Sequence, residues 1–215
     1  MDAPALRGMK QLRRLTILTD VVYALVIWRM FMFIPRPGDE GWGWRDAGSF
    51  FSDNLPVLIL IVIGVTFTII YWTQNNLLTS SLTRTDGRHT TLSIIQIFLL
   101  LLFLFSLRLG IELGGSLETR LFESISAALV GYAGSWGWAY AIKNRRLLRR
   151  DVTDAEAAGI ADRILAEPMA ATLTIAAAFI GPVVWELTWL TYPLIVRLLN
   201  RRRARRQDGS GGIAA

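Results

Sequence analysis

Few residues of this 215-residue sequence could do chemistry. It contains no cysteine, which excludes thiol catalysis and cysteine-ligated zinc or iron–sulfur sites. Its single histidine, His89, leaves no histidine-rich metal site, argues against a Ser-His-Asp triad, and is expected to lie exposed in a loop. We therefore expect neither the catalytic centre of an enzyme nor a resident metal or cofactor.

Two ionisable residues, Asp20 and Arg29, lie within the first apolar run of the chain. Charges are costly there and usually face the interior of a helix bundle or a water-filled path. At about 100° per residue, the two side chains lie on nearly opposite faces of a helix and roughly 13 Å apart along its axis, so they do not pair. The face that carries the arginine comprises Leu18, Val22, Leu25, Arg29 and Met32.

Each of these charges has two interpretations. Arg29 either lines a pore or extends to the outer membrane interface, where a long arginine side chain keeps its charged end in water. Asp20 either joins a polar network between helices or forms an ion pair with Arg13 or Arg14 near the end of the helix. A structural role is favoured for Asp20.

The composition defines the elements that must position these residues. Hydrophobic residues make up 53% of the sequence and charged residues 19%, with a mean hydropathy of +0.40. This excludes a disordered chain, and apolar runs of about 18 residues or more predict membrane-spanning helices. We expect an all-α, polytopic membrane protein in which residues 1–200 form one transmembrane domain and 201–215 a disordered basic tail. The predicted spans are 15–34, 55–76, 92–109, 121–142, 168–181 and 183–199.

The positions of lysine and arginine predict the number and direction of these spans. The last apolar stretch, 169–199, is too long for one span, and Gly181-Pro182 favours a hairpin of two short helices. The basic segments are 1–14, 79–91, 143–150 and 201–206, and the acidic loops are 35–54 and 109–120. Basic loops face the cytoplasm, so six crossings of the plasma membrane with both termini inside are predicted. The tail either fixes this topology or contacts anionic membrane lipid, and no nucleic-acid partner is expected.

Two local patterns concern helix starts and helix packing. Thr153 followed by Glu156 has the spacing of a capping box and predicts a short helix before residue 169. Ala127, Gly131 and Ser135 are small residues at four-residue spacing, which lets two membrane helices approach closely.

The start of the first span resembles a known family. The residues Arg14-Leu-Thr-Ile-Leu18-Thr19-Asp20 resemble the Arg-x-x-x-Phe-Ser-Asp signature that opens the first helix of the transmembrane protein 175 potassium channel family. Leu18-Thr19 stands in place of Phe-Ser and keeps an apolar group followed by a hydroxyl.

Two further elements extend the resemblance over most of the chain. Trp72-Thr-Gln-Asn75 looks like the Trp-x-x-His element of that family, with Asn75 in place of the histidine. Asp86 and Ser93 have the spacing of the aspartate and asparagine of the family's third helix, with serine in place of asparagine. The chain is identified on these residues as a divergent, one-repeat member of the prokaryotic type.

The resemblance implies a homotetramer of six-helix subunits with a central pore lined by the first helix, which prefers potassium. It places the narrowest point at Leu25, and the same face continues to Arg29 and Met32. It also implies a structural network of Arg14, Thr19, Asp20, Trp72, Asn75 and Ser93. A ring of four leucines can close a narrow pore by dewetting, whereas a ring of arginines belongs with anion passage or cation exclusion.

Two other functions stay open at this point. One is a membrane scaffold that does not conduct. The other is a membrane enzyme that acts on lipid, which requires polar groups that converge at one membrane face. The acidic candidates for such a site are Glu112, Glu118, Glu123 and Glu186.

Overall fold

The computed structural model describes residues 3–32, 34 and 47–211. Within these residues the chain is all-α, as predicted: seven α-helices and one 3-10 helix, with an isolated β-bridge and no strand. The chain divides into two compact units, one of residues 13–79 and the other of residues 1–12 with 80–215.

The unit of residues 13–79 contains most of α1 (Ala3–Phe31) and α2 (Ala47–Ser80). Both helices are longer than the predicted spans 15–34 and 55–76, and α1 begins in the basic N-terminal segment. Pro4 stands in its first turn, where proline is tolerated because the missing N–H has no helical partner. The two helices touch where a Cβ added to Gly64 would lie 3.3 Å from the sulfur of Met30.

In the other unit, α3 (Gly87–Glu112) and α4 (Leu117–Ile142) form a packed hairpin. They contain the predicted spans 92–109 and 121–142, and both begin several residues earlier than predicted because a side chain caps each start. Asp86 caps α3 and Ser116 caps α4 by accepting a hydrogen bond from a backbone amide of the first turn.

The segment Gly87–Gly110 within α3 is long and apolar enough to cross a membrane, with a mean hydropathy of 2.4. By length and composition it is the one such segment among the described residues. At its far end, Gly114 and Gly115 form the turn to α4 with φ angles of +63° and +68°, a conformation that glycine adopts without steric cost.

The loop before α3 and the loop after α4 are joined by backbone hydrogen bonds. The antiparallel bridge connects Leu82 with Leu148, and both side chains are buried. The flanking bonds run from Thr83 N–H to Leu147 C=O (2.9 Å) and from Arg149 N–H to Ser81 C=O (3.0 Å). We call segments 81–83 and 147–149 the loop clasp. The second of these segments follows the 3-10 helix Lys143–Arg145, which comes directly after α4.

A single helix, α5 (Asp154–Ala178), stands where a short helix and a separate span at 168–181 were predicted. The predicted N-cap is confirmed, because the Thr153 hydroxyl accepts a hydrogen bond from the amide of Glu156 at 3.1 Å. The helix continues through Pro168, whose ring faces the neighbouring helix α4 at a position that has no side chain. A Cβ added to Gly131 would lie only 2.7 Å from the Cδ atom of Pro168, so the small residue permits this close approach.

The predicted turn at Gly181-Pro182 is confirmed, but the span predicted at 183–199 is not one helix. It consists of α6 (Pro182–Trp189) and the start of α7 (Tyr192–Gly211). Pro193 explains the interruption, because it has no N–H to donate to the carbonyl of Trp189 four residues earlier and suits the first turn of a new helix. Both α6 and α7 pack against α5.

The basic tail is helical where disorder was predicted. Helix α7 continues to Gly211, and residues 212–215 lie outside the described part. The segment 200–206 contains neither glycine nor proline, and arginine is a good helix former. A contact within the unit also holds it, since the Arg203 guanidinium lies 3.4 Å from a carboxylate oxygen of Asp162 on α5.

Candidate functional site

The face of α1 predicted to line a pore is largely exposed. Leu25, the predicted constriction, is 60% exposed. Leu18, Arg29 and Met32 are also exposed, and Val22 is half-buried. This face is therefore apolar apart from its arginine, and a single chain leaves most of it uncovered.

The opposite face of α1 is buried. Its members follow one another at intervals of three or four residues, which is the spacing of one helix face. They are Leu15, Thr19, Tyr23, Val26 and Met30. Helix α1 thus has two sides, one that packs within the protein and one that requires lipid or another molecule to cover it.

Of the predicted structural network, the structure brings Asp20 and Trp72 together. The indole Nε1 of Trp72 on α2 donates a hydrogen bond of 2.9 Å to Oδ1 of Asp20 on α1. Asp20 lies on the side of α1 away from Leu25, so the bond fixes the rotation of the helix. This partner differs from the arginine partners considered from the sequence and favours the structural interpretation of the aspartate.

Two other predicted members of the network, Thr19 and Ser93, form hydrogen bonds within their own helices. The Thr19 hydroxyl donates to the backbone carbonyl one turn earlier in α1, at 2.8 Å. The Ser93 hydroxyl does the same within α3, at 3.0 Å. Arg14 is exposed, and Asn75 has a buried side-chain nitrogen with no hydrogen-bond partner. Serine and threonine hydroxyls in helices commonly donate to a backbone carbonyl of the preceding turn. The spacing of the motif does not show whether a hydroxyl bonds there or to another helix.

A second polar site surrounds Asp86. The resemblance involves this residue only through its spacing from Ser93. One carboxylate oxygen accepts from the amide of His89 (3.0 Å) and the other from the hydroxyl of Tyr140 (2.7 Å). The Nε of Arg146 lies 3.7 Å from the same carboxylate, and its guanidinium lies 5.6 Å from the centre of the Tyr140 ring. Burial raises the pKa of Asp86, but the two hydrogen bonds and Arg146 outweigh it and hold that pKa below its ordinary value.

His89 is buried in the first turn of α3, which corrects the expectation of an exposed loop histidine. Its Nδ1 lies 2.8 Å from the hydroxyl of Thr85, which is also buried. The amide of Thr85 in turn donates to the carbonyl of Gly8 at 3.2 Å. The prediction failed because the start of α3 was placed after His89. The N-cap Asp86 lies three residues before the histidine and puts it inside the helix.

Buried hydroxyls connect α3, α4, α5 and α6. The Ser106 hydroxyl on α3 lies 3.0 Å from that of Ser126 on α4. The Ser124 hydroxyl on α4 accepts from Thr174 on α5 and from the indole of Trp185 on α6, both at 2.8 Å. Hydrogen bonds of this kind join helices that lack a hydrophobic driving force in lipid. Isolated serines within apolar runs indicate such hydrogen bonds between helices, but the sequence alone does not show which serines face each other.

The glutamates considered for an enzymatic site occupy separate surroundings. Glu112 forms an ion pair with Arg108 one turn away (2.6 Å), and Glu123 lies against Gly110. Glu118 stands in the first turn of α4, and Glu186 is exposed on α6. In the described residues, no three histidine, aspartate or glutamate side chains form a group that could hold a metal ion.

Comparison with known proteins adds no family to these observations. No protein-family profile matches the sequence, and no curated protein is significantly similar to it.

Proposed function

We propose that this chain is a divergent member of the transmembrane protein 175 family. In this proposal four copies form a channel in the plasma membrane that conducts cations and prefers potassium. The observation that carries the proposal is the exposed apolar face of α1 around Leu25, opposite a buried face on the same helix.

The distribution of apolar surface supports a membrane location. Large apolar side chains are exposed on helices throughout the chain, including Phe98 on α3 (65%) and Trp136 on α4 (67%). Water-soluble monomers rarely expose apolar patches on this scale. In a bilayer the chain crosses six times with both termini inside, as the basic loops suggest. The last crossing combines α6, which is too short to span at roughly 12 Å, with the apolar start of α7.

The pore proposal assigns a role to each side of α1. The Trp72–Asp20 bond holds the helix at one rotation, which directs Leu25 away from α2. Four such leucines around a common axis form a hydrophobic ring that excludes water when narrow. Arg29 lies on the same face one turn further along, so its charge acts on any ion that passes there.

The first experiment measures potassium flux through purified protein in liposomes. Leu25→Ala is expected to increase the flux because it widens the ring and lowers the dewetting barrier. Leu101→Ala is the matched control, since Leu101 is an exposed leucine on α3 and lies outside the proposed pore face. Absence of flux under every gradient, for the wild type and the Leu25 variant alike, refutes conduction.

The second experiment tests the position of Arg29. Arg29→Leu is expected to change the ratio of potassium to chloride permeability, because a cationic ring opposes cations and attracts anions. An unchanged ratio removes Arg29 from the ion path and assigns it to the membrane interface.

A membrane scaffold remains the second candidate, and the same uncovered face of α1 favours it. A scaffold shares the proposed self-association but passes no ions. An ordered oligomer that is sealed along its axis by large side chains, with no flux in liposomes, supports the scaffold and contradicts the channel.

A further inference from the structure

The C-terminal helix α7 has one face that packs within its unit and one that does not. Tyr192, Val196 and Leu199 pack around the buried residues Ala166 and Ala170 of α5 and Ile195 of α7 itself. Arg203 continues the packed face. Its guanidinium contacts Asp162, and a Cβ added to Gly159 would lie 2.8 Å from one of its nitrogens. Arg203 is therefore neutralised and holds the basic end of α7 against α5.

The opposite side of α7 carries leucines and arginines in alternation. We define the outer face of α7 as Leu194, Arg197, Leu198 and Arg201, which lie within roughly 100° of one another at 100° per residue. All four are exposed. Arg201 lies roughly 4.5 Å beyond Leu198 along the helix axis. Apolar side chains suited to acyl chains thus lie next to cations suited to lipid phosphates.

Two more arginines of this unit, Arg202 and Arg163, are exposed, and Asp162 is already paired with Arg203. Arg202 is next in sequence on α7, and Arg163 follows Asp162 on α5, the helix against which α7 packs. Because the Asp162 carboxylate is paired with Arg203, it neutralises less of the positive charge of the other arginines. Arg201 and Arg202 thus add two exposed positive charges next to the leucines of α7.

The geometry points to a binding site for one anionic phospholipid on the outer face of α7. Arg201 and Arg202 contact its phosphate, and Leu194 and Leu198 lie along its acyl chains. A lipid fits better than a soluble anion because exposed leucines lie beside the arginines on this face. This inference rests on the membrane location proposed above and does not depend on conduction.

The test is native mass spectrometry of the full-length protein in an uncharged detergent with equimolar dioleoylphosphatidylglycerol and dioleoylphosphatidylcholine. The wild type is expected to retain the anionic lipid in preference to the zwitterionic one. Arg201→Gln combined with Arg202→Gln should lower this preference by about five-fold for each arginine, the factor that corresponds to about 1 kcal/mol. Arg201→Lys with Arg202→Lys keeps both charges and should retain most of the preference.

A second double variant distinguishes a specific lipid site from an effect of the overall charge of the protein. Arg84→Gln combined with Arg150→Gln also removes two exposed cations, but from other segments. It should leave the lipid preference within two-fold of the wild type. Equal losses from both double variants, or displacement of the anionic lipid by equimolar inorganic phosphate, overturn the inference. Lipid preference without ion flux supports the site and contradicts only the channel.

Discussion

Replacement of Gly131 by alanine should destabilise the contact between α4 and α5. The new Cβ would lie 2.7, 2.9 and 3.0 Å from the Cδ, Cβ and Cγ atoms of Pro168, which are closer than carbon atoms approach in folded proteins. The proline ring cannot rotate away, so the helices must separate. Overpacking of this kind lowers the free energy of unfolding by about 1–3 kcal/mol. The higher helix propensity of alanine offsets about 1 kcal/mol of this loss. The net loss is up to about 2 kcal/mol.

The matched substitution is Gly137→Ala on the same helix. There the nearest atom to the new methyl group is Cβ of Leu92 at 4.0 Å, an ordinary contact. Alanine should therefore stabilise α4 by up to about 1 kcal/mol. Thermal unfolding in detergent, followed by tryptophan fluorescence, should show a Tm lowered by up to about 8 °C for Gly131→Ala and unchanged or raised for Gly137→Ala.

A double-mutant cycle locates the effect. Pro168→Ala removes the ring that Gly131→Ala strikes, so the two changes together should cost less than the sum of the single effects by about 1 kcal/mol or more. If Gly131→Ala lowers Tm no more than Gly137→Ala, or if the two effects simply add, the close approach of α4 and α5 at this position is refuted.

Two further predictions concern the polar contacts. Asp86→Asn should reduce stability at neutral pH, because Asp86 is held ionised by Tyr140 and Arg146; since its folded pKa is lowered, this stabilisation is present above its ordinary pKa of 3.8 and is lost as the pH falls through the folded value. The variant should therefore show a flatter dependence of Tm on pH in acid, and an unaltered slope contradicts the proposed contacts. Trp72→Phe removes the hydrogen bond to Asp20 and should lower Tm by roughly 2–4 °C, for a net loss of about 1 kcal/mol. The same change at an exposed tryptophan of α4, Trp136, should leave Tm unchanged, and equal effects at both sites argue against the bond.

The sequence predicted the helical class because hydrophobic runs and their breakers act locally. The start of α5 after Thr153 and the break at Gly181 follow from short-range geometry, a side-chain cap in one case and a glycine with a φ of +155° in the other. The two sides of α1 also follow from a period of 3.6 residues, which places Leu25 opposite the buried face.

Contacts between distant segments escaped prediction because they depend on packing. Burial of His89 requires the N-cap at Asp86 and a hydroxyl partner, and neither can be inferred from a lone histidine in a polar stretch. The predicted start of a span at residue 168 is wrong: proline usually interrupts a helix interior, but the space above Gly131 accepts the ring of Pro168 within α5. The helical tail depends likewise on the Arg203–Asp162 contact, 41 residues apart in sequence.

The loop clasp makes the α3–α4 hairpin a closed ring, covalent at the Gly114–Gly115 turn and hydrogen-bonded at the other end. Spreading α3 and α4 at the clasp requires breaking two backbone hydrogen bonds and exposing Leu82 and Leu148, so the clasp opposes separation of the two helices at the end away from their turn.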